Sequence, residues 1–204
     1  MTTRRAPAGA AVLQPQVTAA IREAAFTELA QVGYGKLSME AIARRAGVSK
    51  PTLYRRWPSK QQLVLSLISE VAVHAAETPD TGTLHGDLRA FLEVTAAGLS
   101  HPLAARIIPD LLAEAVRTPA LAEALQTGLG EQRRLRVAEL LHRAIARGEL
   151  PSDLNIELAL DFTVAPLFWR QLMRADVTDP GYLDQLTDML LRAFGVTSKP
   201  TAPE

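Results

Sequence analysis

The sequence predicts an all-α protein of about nine helices, and three observations carry that expectation. Apolar residues recur at three- and four-residue steps along most of the chain. No stretch alternates apolar and polar residues long enough to make a strand. Caps and breakers then cut the periodic stretches into segments of helical length. The charge divides the chain as well. Over 204 residues the net charge is zero, yet residues 1–66 hold 10 Lys and Arg against 3 Asp and Glu, and residues 67–204 hold 12 against 19. A swing of that size within one chain sets one part against a polyanion and reserves the other for something else.

The elements follow in order. The opening MTTRRAPAGAAVLQP is basic, is broken by Pro7 and Pro15, and lacks the continuous apolar run of a signal peptide; residues 1–15 are expected to be a disordered arm. The first helix runs from about Val17 to Val32, with Val17, Ile21, Ala24, Ala25, Leu29 and Val32 on one face and Gly33 and Gly35 ending it. Ser38 caps a short second helix to Arg45. After Gly47, Ser49 caps a third with Pro51 in its first turn. Pro58 breaks it, and Ser59-Lys60-Gln61-Gln62 has the capping-box pattern for a fourth helix to about Ala76. Five longer helices follow: Asp87 to Leu99, 103–116, Pro119 to Arg147, Asp153 to Arg174, and Asp179 to Phe194. The tail, 197–204, is expected to be disordered. Domains are expected at 16–62 and 63–196.

Composition narrows the chemistry. With no cysteine there are no disulfides, thiolate metal sites or cysteine nucleophiles, which suits a reducing cytoplasm. No apolar run approaches the roughly 18 residues of a membrane span. His74, His85, His101 and His142 are scattered without metal-ligand spacing, and no glycine-rich phosphate loop follows a strand. An enzyme, a metal and a cofactor are therefore not expected.

The segment GVSKPTLYRRWPSK (47–60) carries Lys50, Arg55, Arg56 and Lys60 with no acidic residue among them. Ahead of it, Ile42 and Ala43 supply an apolar face and a small residue for close approach. Gly47 supplies a turn, and Val48 and Leu53 pin the next helix. That is the arrangement of a helix-turn-helix, whose second helix enters the DNA major groove. Lys50, Thr52, Tyr54 and Arg55 are left facing outward. Lysine and arginine neutralise phosphates or bond guanine, threonine can contact thymine or an acceptor, and tyrosine can bond a phosphate. Lys60, at the start of a helix, is placed for an anion. Ser38 and Arg44 flank the same face, as phosphate contacts or as an ordinary cap and a solvated charge.

Over Val17 to Leu65, and above all in LSMEAIARRAGVSKPTLYRRWPSK, the chain resembles the DNA-binding domain of TetR-family transcriptional regulators. The motif is specific, and the length and helical remainder also match. The resemblance implies that Lys50, Pro51, Thr52 and Tyr54 are DNA contacts and Lys60 a phosphate contact. Arg56 departs from a common histidine and Trp57 from a common phenylalanine. It further implies a ligand-responsive repressor acting as a homodimer on a palindromic double-stranded operator.

For the acidic remainder the stripes suggest two surfaces. Phe162, Ala165, Trp169 and Leu172 on one helix and Leu183, Leu186 and Leu190 on the next are expected to form the dimer interface as a four-helix bundle. Phe91, Val94, Ile107, Ile108, Leu111, Leu112 and Leu125 are expected to line a pocket for an apolar or amphipathic small molecule. Two rival readings use the same residues. One is a helical small-molecule-binding protein whose basic domain does not read DNA; the other is an interaction module whose basic face meets an acidic partner.

Overall fold

The structure, a computed structural model, describes residues 15–74, 78–174 and 179–196. It is helical throughout, and the chain divides into two compact units, one through Leu67 and one from Ile68. That division falls five residues beyond the expected end of the first domain and inside a helix. Residues 1–14 of the expected arm, the tail 197–204 and the expected end of the fourth helix at Ala76 lie outside the described residues.

The first unit is built from α1 (Pro15–Lys36), α2 (Met39–Arg45), α3 (Lys50–Arg56) and the start of α4 (Lys60–His74). Pro15, expected to end the arm, opens α1 instead, since a proline costs no hydrogen bond in a first turn. Ile21, Ala24, Ala25 and Leu29 bury one face of α1, while Val32, expected on that face, is largely exposed. Gly33 breaks the helix at φ 73°, a backbone angle that few side chains tolerate. Ser38 caps α2 by accepting from the Ala41 N–H at 3.4 Å. At Gly47, φ is 66°, and the N–H of Val48 returns to the Ala43 carbonyl at 3.0 Å. Ser49 caps α3 by accepting from the Thr52 N–H, with Pro51 in the first turn. Ala43 and Leu53 are buried where α2 meets α3, beside Ile42, Leu63 and Leu67.

The second unit contains α5 (Leu84–Ser100), α6 (Pro102–Ala115), α7 (Pro119–Leu125), α8 (Gln132–Ala146), α9 (Ile156–Trp169) and α10 (Pro180–Ala193). The central helix is α5, which packs on α6, α8, α9 and α10. Its Leu84, Leu88, Leu92 and Leu99 are fully buried with Val137, Leu140, Leu141 and Ala144 of α8. The helix expected from Pro119 to Arg147 is continuous, but a π-helical stretch, Gln126–Glu131, separates α7 from α8. A second π-helical stretch, Arg170–Arg174, extends α9. Prolines stand inside two helices, Pro109 in α6 and Pro166 in α9, where each removes a backbone donor. With the π stretches counted into their helices, nine continuous helices are present among the described residues.

Starts shift where a better cap lies nearby. Thr83 caps α5, ahead of the expected start at Asp87, by accepting from the Gly86 N–H, and Asn155 caps α9, beyond the expected start at Asp153, by accepting from the Leu158 N–H. Asp87 is thereby carried into the first turn of α5, where it is completely buried. It accepts from the Thr81 N–H at 2.5 Å, the Thr81 hydroxyl at 2.8 Å and the Arg147 guanidinium at 3.3 Å, with Arg143 at 3.9 Å. Burial pushes its carboxyl up; the bonds from Thr81 and Arg147 together outweigh that and hold it below its ordinary value.

Several expected interface and pocket residues are core. Leu183, Leu186 and Leu190 are buried against α5 within the chain, because the apolar stripe of α10 faces inward. Phe91 and Leu99 belong to the same core, and Ile107 is buried. Val94 is half exposed, on the face of α5 turned to solvent.

Candidate nucleic-acid interface and ligand cavity

The two short helices of the first unit present one face to solvent. Lys50, Pro51, Tyr54 and Arg55 are exposed on α3, Thr52 is partly so, and Arg44 is exposed at the end of α2. Arg44 and Arg55 meet no carboxylate among the described residues, so their charge is uncompensated. Lys50 and Tyr54 are not free in the same sense. Both reach Glu40 of α2, the Lys50 ammonium at 3.6 Å and the Tyr54 hydroxyl donating at 3.3 Å. Glu40 also accepts from the Ser38 hydroxyl at 3.1 Å. Its carboxyl is held below the ordinary range by its own backbone N–H, by Ser38 and by the Lys50 charge. The Tyr54 phenol is pushed up by partial burial and by the Glu40 charge.

The sequence segment has no acidic partner within it, but α2 supplies one. Glu40 thereby ties the Lys50 and Tyr54 side chains of α3 to α2. Thr52 is likewise engaged: its hydroxyl shares a hydrogen bond with the Ser49 hydroxyl at 2.8 Å, which leaves it further acceptor capacity beside its methyl group.

Lys60 has a structural task. Its ammonium donates to the carbonyls of Tyr34 at 2.9 Å and Gly35 at 3.1 Å, and sits 4.7 Å from the centre of the Tyr34 ring. It thus ties the start of α4 to the last turn of α1, adding to the bond that the Tyr34 carbonyl accepts from the Leu37 N–H at 3.2 Å. Arg45 turns away from the exposed face, to Glu28 and Gln31 at 2.8 Å each. Arg56 donates to the Thr18 hydroxyl at 2.6 Å. Of the six basic residues from Arg44 to Lys60, then, Arg45, Arg56 and Lys60 brace the unit, and Arg44, Lys50 and Arg55 face outward.

The second unit holds a partly open cavity of about 650 Å³ among α6, α7, α8 and α9. Ile108, Leu111, Leu112 and Leu125 line it, four of the seven expected positions; Phe91, Val94 and Ile107 do not. Val137, Leu160, Val164 and Phe168 complete the apolar wall. Gln126 and Gly130, from the π-helical stretch, also line it, and such stretches are frequent at functional sites.

Two arginines that sequence reasoning missed reach the wall. Arg134 donates to Asp161 at 2.6 Å and also pairs with Glu157. Arg133 meets no carboxylate among the described residues, and its guanidinium lies 5.7 Å from the Phe168 ring centre. Burial, and then the nearby Arg136 charge, lower its pKa. A signal for it exists in the sequence: Arg133 stands in helical register with the buried stripe Val137, Leu140 and Ala144, where a charge has no place unless it is used.

The expected dimer residues separate by helix. On α9, Phe162, Ala165 and Trp169 are exposed in one stripe with Leu158 and Met173, and Leu172 is half-buried.

Known proteins agree with this architecture. The family model described as "Bacterial regulatory proteins, tetR family" matches residues 21–67. The model described as "Tetracyclin repressor-like, C-terminal domain" matches residues 78–190. The HTH-type transcriptional regulator YdeS of Bacillus subtilis (strain 168) is 31% identical over 91% of each chain. The DNA-binding transcriptional repressor TetR of Mycobacteroides abscessus is 30% identical, over 85% of this chain and 91% of its own. The crystal structure of the TetR family transcription regulator SCO0332 superposes with a TM-score of 0.68 at 30% identity, covering 90% of this chain and all of that one. No helix among the described residues is long and apolar enough to cross a membrane. With both parts of the chain matched and the outward face of α3 carrying DNA-reading chemistry, this protein belongs to the TetR family of DNA-binding transcriptional regulators.

Proposed function

We propose that the protein is a ligand-responsive repressor that binds a palindromic operator as a homodimer in the cytoplasm. The observation that carries this reading is the outward face of α2 and α3, with uncompensated Arg44 and Arg55 beside Lys50, Thr52 and Tyr54. Lys50, Thr52, Tyr54 and Arg55 contact bases and phosphates in the major groove. Pro51 and the capped start of α3 approach the backbone, and Arg44 and Ser38 contact phosphate. Lys60 reaches phosphate only with the bonding capacity left over from Tyr34 and Gly35. Residues 16–62 act as the DNA-binding domain and 63–196 as the effector and dimer domain.

Two half-sites about 34–36 Å apart, or a multiple of that, require two copies of α3 held by one assembly. The α9 stripe supplies the contact between copies. A small molecule in the cavity favours a dimer whose reading helices no longer match the operator. A coupling of about 1–3 kcal/mol changes affinity by roughly 5- to 150-fold, enough for a switch. The name of the Mycobacteroides abscessus relative supports repression over activation.

Selection of bound sequences from a random duplex pool at several salt concentrations tests the reading. The expected result is a palindromic site whose affinity falls with a log–log slope of roughly −5 to −9. No enriched site and a shallow slope would refute it.

A further inference from the structure

We propose that the cavity takes an amphiphile with a carboxylate head, which Arg133 binds, and an apolar body, which the rest of the wall encloses. This rests on the reading of the second unit as a ligand-responsive domain and names the chemical class of the ligand.

The cavity volume, about 650 Å³, suits one small organic molecule. Three charged side chains touch its wall, Arg133, Arg134 and Asp161. Arg134 and Asp161 neutralise one another, with Glu157 as a second acceptor for Arg134. The pair therefore offers no free carboxylate to a cationic ligand. Arg133 is the remaining charge on the wall; among the described residues it meets no carboxylate, and its guanidinium lies over the face of Phe168.

A guanidinium drawn out of water among apolar groups is costly unless it is paired. Burial already acts against its charged form, and Arg136 adds like-charge repulsion. An incoming anion relieves both. A carboxylate matches the planar fork of arginine with two parallel hydrogen bonds. The remaining wall is mostly apolar, with Ile108, Leu111, Leu125, Val164 and Phe168, and has Gln126 as its neutral polar side chain. One negative head on a hydrophobic body is the ligand that satisfies both parts of the wall.

Decanoate and decan-1-ol serve as probes, titrated calorimetrically into the full-length protein below the micelle concentration. They share an apolar body and differ in the head. Wild-type protein should bind decanoate saturably, at one per chain, and at least tenfold more tightly than decanol. Arg133→Met should lower decanoate affinity tenfold or more and leave decanol unchanged. Arg133→Lys should fall between the two, since it keeps the charge and loses the fork. Leu111→Trp should fill the cavity and abolish both. A thermal melt of each variant separates misfolding from loss of the site. Equal binding of the two probes, or an Arg133→Met protein that binds decanoate normally, would overturn the carboxylate head while leaving the cavity as a ligand site. Binding of neither probe to folded wild-type protein would overturn both.

Discussion

Arg44 and Arg55 project from the exposed face of α2 and α3 with no carboxylate partner among the described residues, so no ion pair seen there has to break for either to meet a phosphate. Substituting Arg44 with alanine should weaken all duplexes alike and reduce the magnitude of the salt slope by about 0.9, measured by titration at several ionic strengths. Thr52→Ala should act differently. It removes both the methyl and the hydroxyl that bonds Ser49, so discrimination between operator and mutated operator should fall while the slope holds. At Asp87 the consequence is stability. Its carboxyl binds Thr81 and Arg147 and is lowered from an ordinary value of 3.8. A lowered carboxyl stabilises the fold fully above its unfolded pKa and loses that contribution as pH falls through the folded one. Asp87→Asn should therefore cost roughly 1–3 kcal/mol at neutral pH, with the difference from wild type shrinking below about pH 4, as read by denaturant unfolding.

At the scale of elements, α9 and α10 were indistinguishable in the sequence, and the fold sets them apart. Each carries an apolar stripe, but α10 spends its own on α5 inside the chain, while α9 leaves Phe162, Trp169 and Met173 in solvent. The two kinds of position should respond oppositely. Leu186→Ala should destabilise the monomer by about 2–5 kcal/mol. Trp169→Asp should leave monomer stability nearly unchanged and abolish the dimer in sedimentation experiments. The helices themselves were legible because spacing, caps and glycines act over a few residues. Ser38, Gly47 and Ser49 behave as their chemistry dictates. What was not legible depends on contacts far apart in the chain. Nothing near Lys60 announces that it will bond the Tyr34 and Gly35 carbonyls at the end of α1, and Glu40 gives no sign that it will hold Lys50 and Tyr54. The π-helical stretch has a local cue in Gly128 and Gly130, which weaken the α-helical alternative without naming its replacement. Of the pocket positions, Ile108, Leu111, Leu112 and Leu125 were found and Arg133 was not, because apolar periodicity marks burial and says nothing about which buried face borders empty space.

At the scale of the whole molecule the charge is segregated. The part that reads DNA is basic, and the remainder carries net negative charge. The remainder is therefore repelled by phosphate, which favours encounters led by α3. The melting temperature should also depend on protein concentration, because a dimer that binds only folded chains stabilises them by mass action. In wild type it should rise as the protein is concentrated; in Trp169→Asp it should stay flat.

The uncovered stripe on α9 has a consequence for gene dosage. Where chains are scarce relative to the dimer dissociation constant, the amount of operator-competent species grows as the square of the amount of chain. With the proposed dimer as the binding species, halving expression then removes about three quarters of it, so a promoter under this protein would respond to copy number more sharply than a promoter bound by a monomer.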